Sequence, residues 1–199
     1  MKKGLVILLG LAALVVVLGL MLMSSYNGFV VKEEAVTSQW ANVETVYQRR
    51  ADLIPNLVET VKGYAAHEQE TLTAVIEARA KATQVQTELT PETLNDPALM
   101  QKFQQAQGQL GSALARLMVV VEQYPDLKAN QNFLDLQTQL EGTENRIAVE
   151  RRRYNEIAQE YNTAIRRFPG ALIAGLTGFD KHTYFEAAEG AETAPAVRF

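Results

Sequence analysis

The residues in this chain that could do chemistry are few, and their spacing works against them. His67-Glu68 matches the start of the His-Glu-x-x-His pattern, in which two imidazoles on one helical face bind zinc and the glutamate acts as general base. Position 71 is threonine, and the other histidine, His182, stands far off in the tail. His67 therefore reads as a solvated or capping side chain near Gly63. Arg151-Arg152-Arg153, with Arg146, Arg166 and Arg167, offers phosphate chemistry. Three consecutive residues splay through about 200° of a helix, and Glu150, Glu156 and Glu160 stand at spacings that pair with them within the helix. A salt-bridged helix face is the better reading. No Ser/His/Asp set, glycine-rich phosphate loop or paired-carboxylate cleft can be located, so the chain reads as a non-enzyme with no cofactor and no metal.

The charges placed inside apolar stripes are more telling. Arg50 and Arg79 fall close to the stripe of the first long helix, and Glu144 and Arg151 occupy seam positions in a later one. A buried charge is costly unless paired, and a paired one can fix register and partner choice. Glu144 is expected to pair with an arginine of the first helix, Arg50 being the better candidate; the alternative is that these groups reach the surface along their stems. Asn56, Asn145, Asn155 and Asn162 are poor helix formers inside helical stretches. Tyr154-Asn155 and Tyr161-Asn162 lie one heptad apart on one face. The tyrosines read as core, the asparagines as glue between helices or subunits rather than as ligand-binding groups. With Asp52, which neighbours Arg50, these residues form the candidate interface set.

The elements that must position them are helices. Apolar residues recur at steps of three and four, the signature of a bundle. Trp40, Val43, Tyr47, Ile54, Leu57, Val61, Leu72, Val75 and Ile76 trace a first helix from about Val31 to about Thr87, about 80 Å long if unbroken. Pro55 should bend it, and Gly63 is a second weak point. Thr90 to Pro97 is a clear break. A second helix follows with Asp96 as N-cap and Pro97 at its first position, and it ends at Tyr124-Pro125-Asp126. A third runs from about Lys128 to Phe168, where Pro169-Gly170 stops it. Short connections make such helices antiparallel neighbours. The expected fold is all-α: an elongated antiparallel up-and-down bundle of three long helices plus a short C-terminal helix, with an N-terminal transmembrane helix.

That last element rests on Gly4 to Met23, an unbroken apolar run with Lys2 and Lys3 before it. Twenty residues rising about 1.5 Å each match the bilayer core of about 30 Å. A cleaved signal peptide has a shorter apolar region ending in small residues; this run closes on Met21-Leu22-Met23, and is read as an uncleaved anchor. The lysines place the N-terminus in the cytoplasm and the body outside it, in the periplasm or on the outer face of the cell membrane. Residues 1–25 are then stub and anchor, 26–170 the bundle, and 171–199 an apolar, glycine-broken tail. The tail is too short to span a bilayer, and folds back on the bundle or meets lipid or a neighbouring subunit. The stretch from Gly190 to Phe199 should be poorly ordered unless a neighbour holds it.

Net charge is −4, and −6 with Lys2 and Lys3 set aside, which disfavours nucleic acid as a partner. The chain has no cysteine, so lipoprotein attachment, disulfides and thiolate metal sites are excluded.

Several segments together resemble the LemA family: Tyr26-Asn27, Trp40, the run from Arg49 to Val58 (RRADLIPNLV), Gly63-Tyr64 with His67-Glu68, and Ala78-Arg79-Ala80. The resemblance continues through Tyr124 to Asn130, Leu140 to Ile147, Arg153-Tyr154-Asn155, Tyr161-Asn162 and Phe168-Pro169. It covers nearly the whole chain. It implies a single N-terminal anchor followed by a long-helix bundle outside the cytoplasm, and no enzymatic activity. Family members are loosely linked to envelope stress and to a neighbouring membrane zinc protease, and one relative to forming an intracellular membrane compartment in magnetic bacteria. The functional expectation is a membrane scaffold that self-assembles and organises or monitors the envelope membrane. The alternative is a monomeric anchored adaptor that docks an envelope protease or another client. The expected partners are the lipid bilayer and further copies of the chain.

Overall fold

The computed structural model describes residues 2–186. Among these, the elements are α1 (Lys2–Lys62), α2 (Gln69–Glu88), a 3-10 turn (Pro91–Thr93), α3 (Pro97–Val121), the single turn α4 (Pro125–Lys128), α5 (Gln131–Arg166) and α6 (Gly170–Thr177). The fold is an all-α bundle carried on an N-terminal apolar helix, with no strand among the described residues. The region from Gly190 to Phe199, expected to be poorly ordered, lies outside them.

The apolar run and the first bundle helix are one element of 61 residues, about 90 Å long. Its N-terminal part is long and apolar enough to cross a membrane, and none of it is buried against the rest of the protein. From Phe29 onward the same helix turns Val36, Trp40, Val43, Tyr47, Ile54, Leu57 and Val61 into the core.

The helical pattern from Val31 to Thr87 is divided at Gly63–Glu68, not at Pro55. Pro55 sits inside α1. It can take no hydrogen bond to the carbonyl four residues back, and the freed acceptor, the Ala51 carbonyl, is filled by Arg79 Nε of α2 at 2.6 Å. Arg79 therefore serves the proline that interrupts its neighbour. At Gly63 the chain leaves the helix, and α2 returns antiparallel to α1. Gln86 Nε2 meets the Glu44 carbonyl at 3.4 Å, so the two helices share a face that one continuous rod could not bury.

Asp96 caps α3 as expected, accepting from the Ala98 and Leu99 amides at 2.8 and 3.2 Å. The third long helix starts slightly later than expected, at Gln131, with Asn130 capping the Phe133 amide at 3.1 Å. Helix α5 runs antiparallel to α1 along its length, stitched by Lys32–Glu160 at 3.2 Å, Gln39–Glu150 at 2.7 Å and Arg50–Glu144 at 2.6 Å. Four long helices thus run up, down, up and down from the end that carries the apolar run. At the far tip, Tyr124 Oη donates to Glu68 at 3.0 Å and Asn130 Nδ2 donates to Tyr64 Oη at 2.9 Å, which joins two of the motif segments.

Near the end that carries the apolar run, Gly170 lets α6 touch the bundle. A Cβ there would strike the Ala164 carbonyl oxygen and come to 3.0 Å from the Phe29 ring. Helix α6 closes at Gly178 in the left-handed region (φ 80°), a conformation that costs glycine little. The chain then runs extended from Phe179 to Glu186, back over the bundle between α3 and α5.

Candidate functional site

Two features stand out, and they adjoin. The first is a charged cluster inside the bundle. Arg50, 4 % exposed, donates from Nη1 to Glu144 Oε1 at 2.6 Å, from Nη2 to Gln107 Oε1 of α3, and lies 5.2 Å from the Tyr47 ring centre. Its Nε has no partner. The Glu144 side chain is 47 % exposed, so this pair joins a buried cation to a carboxylate at the rim. The residue closing the α5 seam at this level is Thr143, buried, with Leu140 and Ile147 on either side. Burial holds the Tyr47 phenol above its ordinary range, and the Arg151 and Arg50 charges oppose that shift.

Beside the cluster, α3 and α5 stand apart and leave a cleft of about 480 Å³. Gly108 and Gly111 form part of its α3 wall, and neither would meet anything if it carried a Cβ. Leu114, Met118, Leu140 and Ile147 supply the apolar lining.

The second feature is the tail. Asn155 Nδ2 donates to the Phe185 carbonyl at 2.8 Å, and the Phe185 amide donates back to Asn155 Oδ1 at 2.8 Å. Asn162 makes the same two bonds to the backbone of His182, at 2.8 and 3.0 Å. Each side-chain amide stands in for a strand partner. Phe185 inserts into an aromatic cluster, stacked on Trp40 (6.1 Å between centroids) and edge-on to Tyr154 (5.4 Å). Arg151 lies over its outer face at 4.8 Å and donates to the Glu186 carbonyl at 2.9 Å, while the Glu186 amide donates to Gln104 Oε1 of α3 at 3.1 Å. Burial raises the Tyr154 and Tyr161 phenols well above their ordinary value, with Glu33 adding to the effect at Tyr161. Burial lowers the His182 imidazole, whose two nitrogens have no partner and whose ring lies 4.9 Å from that of Tyr161.

The expected site residues thus divide. Arg50 and Glu144 meet each other; Arg151, Tyr154, Asn155, Tyr161 and Asn162 gather around the tail. Asp52 is exposed and accepts from Gln48 at 2.7 Å. Asn56 and Asn145 are exposed. The arginine run does splay: Arg153 meets Glu150 at 3.4 Å, but Glu160 turns to Lys32 of α1 and Arg151 to the tail. Gln104, Gln107 and Phe185 went unseen in the sequence. Gln107 had a signal, since it sits four residues after Phe103 and three before Leu110 on the buried stripe of α3. Phe185 had only its aromatic character in a polar stretch. Among the described residues no group of three His, Cys, Asp or Glu side chains is placed to hold a metal ion.

The protein's class is a helical bundle on an N-terminal apolar helix: a helix long and apolar enough to cross a membrane runs straight into an antiparallel bundle closed by its own tail. The chain belongs to the LemA family, whose profile matches residues 39–199. It is 30 % identical over 186 residues to magnetosome protein MamQ of Magnetospirillum gryphiswaldense, covering 86 % of this chain and 68 % of that protein. It is 32 % identical over 187 residues to magnetosome protein MamQ 2 of Paramagnetospirillum magneticum, with the same coverage of 86 % and 68 %. It is also 26 % identical over 147 residues to protein LemA of Metamycoplasma hominis, covering 74 % of this chain and 62 % of that one.

Proposed function

We propose that this protein is a non-enzymatic, single-pass scaffold of the cell membrane, with its N-terminus in the cytoplasm and its bundle outside. Copies associate side by side and so organise or monitor the envelope membrane. The observation that carries this reading is the continuity of α1, one helix from the apolar segment to the far tip of the bundle. A bundle built on its own anchor cannot swing freely about a linker. Confinement to a plane raises the effective concentration of neighbouring copies, as tethering does for linked modules. Two relatives carry "magnetosome" in their names, which fits work on a cellular assembly better than turnover of a substrate.

A second reading, a monomeric adaptor that docks an envelope protease or another client, draws support from the open cleft between α3 and α5. The chain has no cysteine, so single cysteines introduced along the outer faces of α3 and α5 can be oxidised in native membranes. Under the scaffold reading a consistent subset links copy to copy. Under the adaptor reading copies do not link, and cleft positions crosslink to a different protein.

A further inference from the structure

Helix α6 has an outward face with no polar side chain except Thr177 at its end. Ile173 and Ala174 are buried against the bundle, while Leu172 and Leu176 are 63 % and 83 % exposed. Phe168, in the turn between α5 and α6, is 82 % exposed. Three large apolar side chains exposed within nine residues of chain are hard to reconcile with water at this end.

The height of these side chains is set by their neighbours on α1. Phe168, Arg167 and Pro169 share a small surface hollow of about 260 Å³ with Ser24, Ser25, Gly28 and Lys32, and Ser24 is the first residue beyond the apolar run. Phe179, just after α6, packs edge-on to Tyr26 and Phe29, 5.5 Å from each. Helix α6 therefore lies within one to six residues of the end of the span, about 2 to 9 Å along α1, which is the depth of the headgroups. Arg166 and Arg167 are exposed beside it, and Lys32 is half-buried at the hollow. The acidic groups at this end include Glu160, held by Lys32 at 3.2 Å, the exposed Glu34 of α1, and Glu33 and Asp180 near Tyr161.

We propose that α6 is a second membrane contact, lying flat on the leaflet from which the bundle emerges. Phe168, Leu172 and Leu176 enter the acyl boundary, and Arg166 and Arg167 meet lipid phosphates. The inference rests on the reading of α1 as a membrane span. Two contacts fix the rotation and tilt of the bundle, which one helix alone leaves free.

The test uses full-length protein in vesicles of phosphatidylcholine and phosphatidylglycerol, with an environment-sensitive fluorophore on single cysteines at Leu14→Cys, Leu176→Cys or Val119→Cys. Lipids carry nitroxides either near the headgroup or deep in the chain. The probe at 176 should emit to the blue and be quenched severalfold more by shallow than by deep nitroxides. The probe at 14 should show the reverse preference, and the one at 119, on exposed α3 surface near the far tip, should escape both. Quenching at 14 with none at 176 overturns the proposal and leaves the anchor standing. Blue emission at 176 without nitroxide quenching overturns it in favour of a protein surface. Absence of quenching at 14 removes the span, and the proposal with it.

Discussion

Asn155 and Asn162 stand seven residues apart on α5 and hold His182 and Phe185, three residues apart in an extended chain running the other way. Seven helical residues and three extended ones both cover about 10 Å, so the two asparagines match the repeat of a strand. Each satisfies one backbone N–H and one C=O that would otherwise face a helix with nothing to offer.

Loss of either amide leaves those groups unpaired. Asn155→Ala and Asn162→Ala should each destabilise the protein by about 1–3 kcal/mol, and the pair should release the tail from the bundle. Hydrogen exchange at the His182 and Phe185 amides measures this directly. Unchanged protection in the double variant contradicts the clamp.

Arg50 and Glu144 make an asymmetric pair, so their removal should not cost the same. Glu144→Gln keeps an acceptor at the rim, and should cost under about 1 kcal/mol because the exposed carboxylate is already well solvated. Glu144→Ala leaves the buried guanidinium short of a partner and should cost about 1–3 kcal/mol. Urea unfolding of both variants gives the comparison. Equal losses would mean that the charge of Glu144 matters more than its oxygen.

Arg79 and Pro55 should be coupled through the Ala51 carbonyl. Arg79→Met strands the Ala51 carbonyl and should cost about 1–3 kcal/mol. In a Pro55→Ala background, the amide at position 55 can take that carbonyl, and the cost of Arg79→Met should shrink by at least half. A double-mutant cycle reads the difference; additive effects would show that Arg79 acts elsewhere.

His182 ties the tail to pH. Burial lowers its pKa below the ordinary 6.5, so the folded state favours the neutral ring. That contribution is fully present above about 6.5 and is lost as the pH falls through the lowered folded value. Acidification should loosen the segment around Phe185 and shift the emission of Trp40, the one tryptophan of the chain, which stacks on Phe185. His182→Gln should flatten that dependence between pH 7 and 5. A Trp40 response identical in the two proteins would assign it to another group.

Much of this arrangement was legible because it is periodic. The α-helical class, the apolar N-terminal helix, the Asp96 cap and the partnership of Arg50 with Glu144 follow from spacing and from the cost of unpaired charge. Gly63 was legible only as a second weak point, and the passage of the helix through Pro55 was not legible, because the group that rescues Pro55 comes from 24 residues further along, and sequence spacing carries no sign of it. The tyrosine–asparagine repeat announced glue, but not what was glued. An extended tail has no period of its own to match against a heptad, so its place between α3 and α5 emerges only with the bundle assembled.

Under the scaffold reading copies associate in the membrane, and counting subunits decides it. Full-length protein extracted into nanodiscs at native density should show, by light scattering and electron microscopy, a narrow distribution of closed assemblies of several chains. Uniform single chains at the same density would contradict the scaffold and leave the adaptor reading.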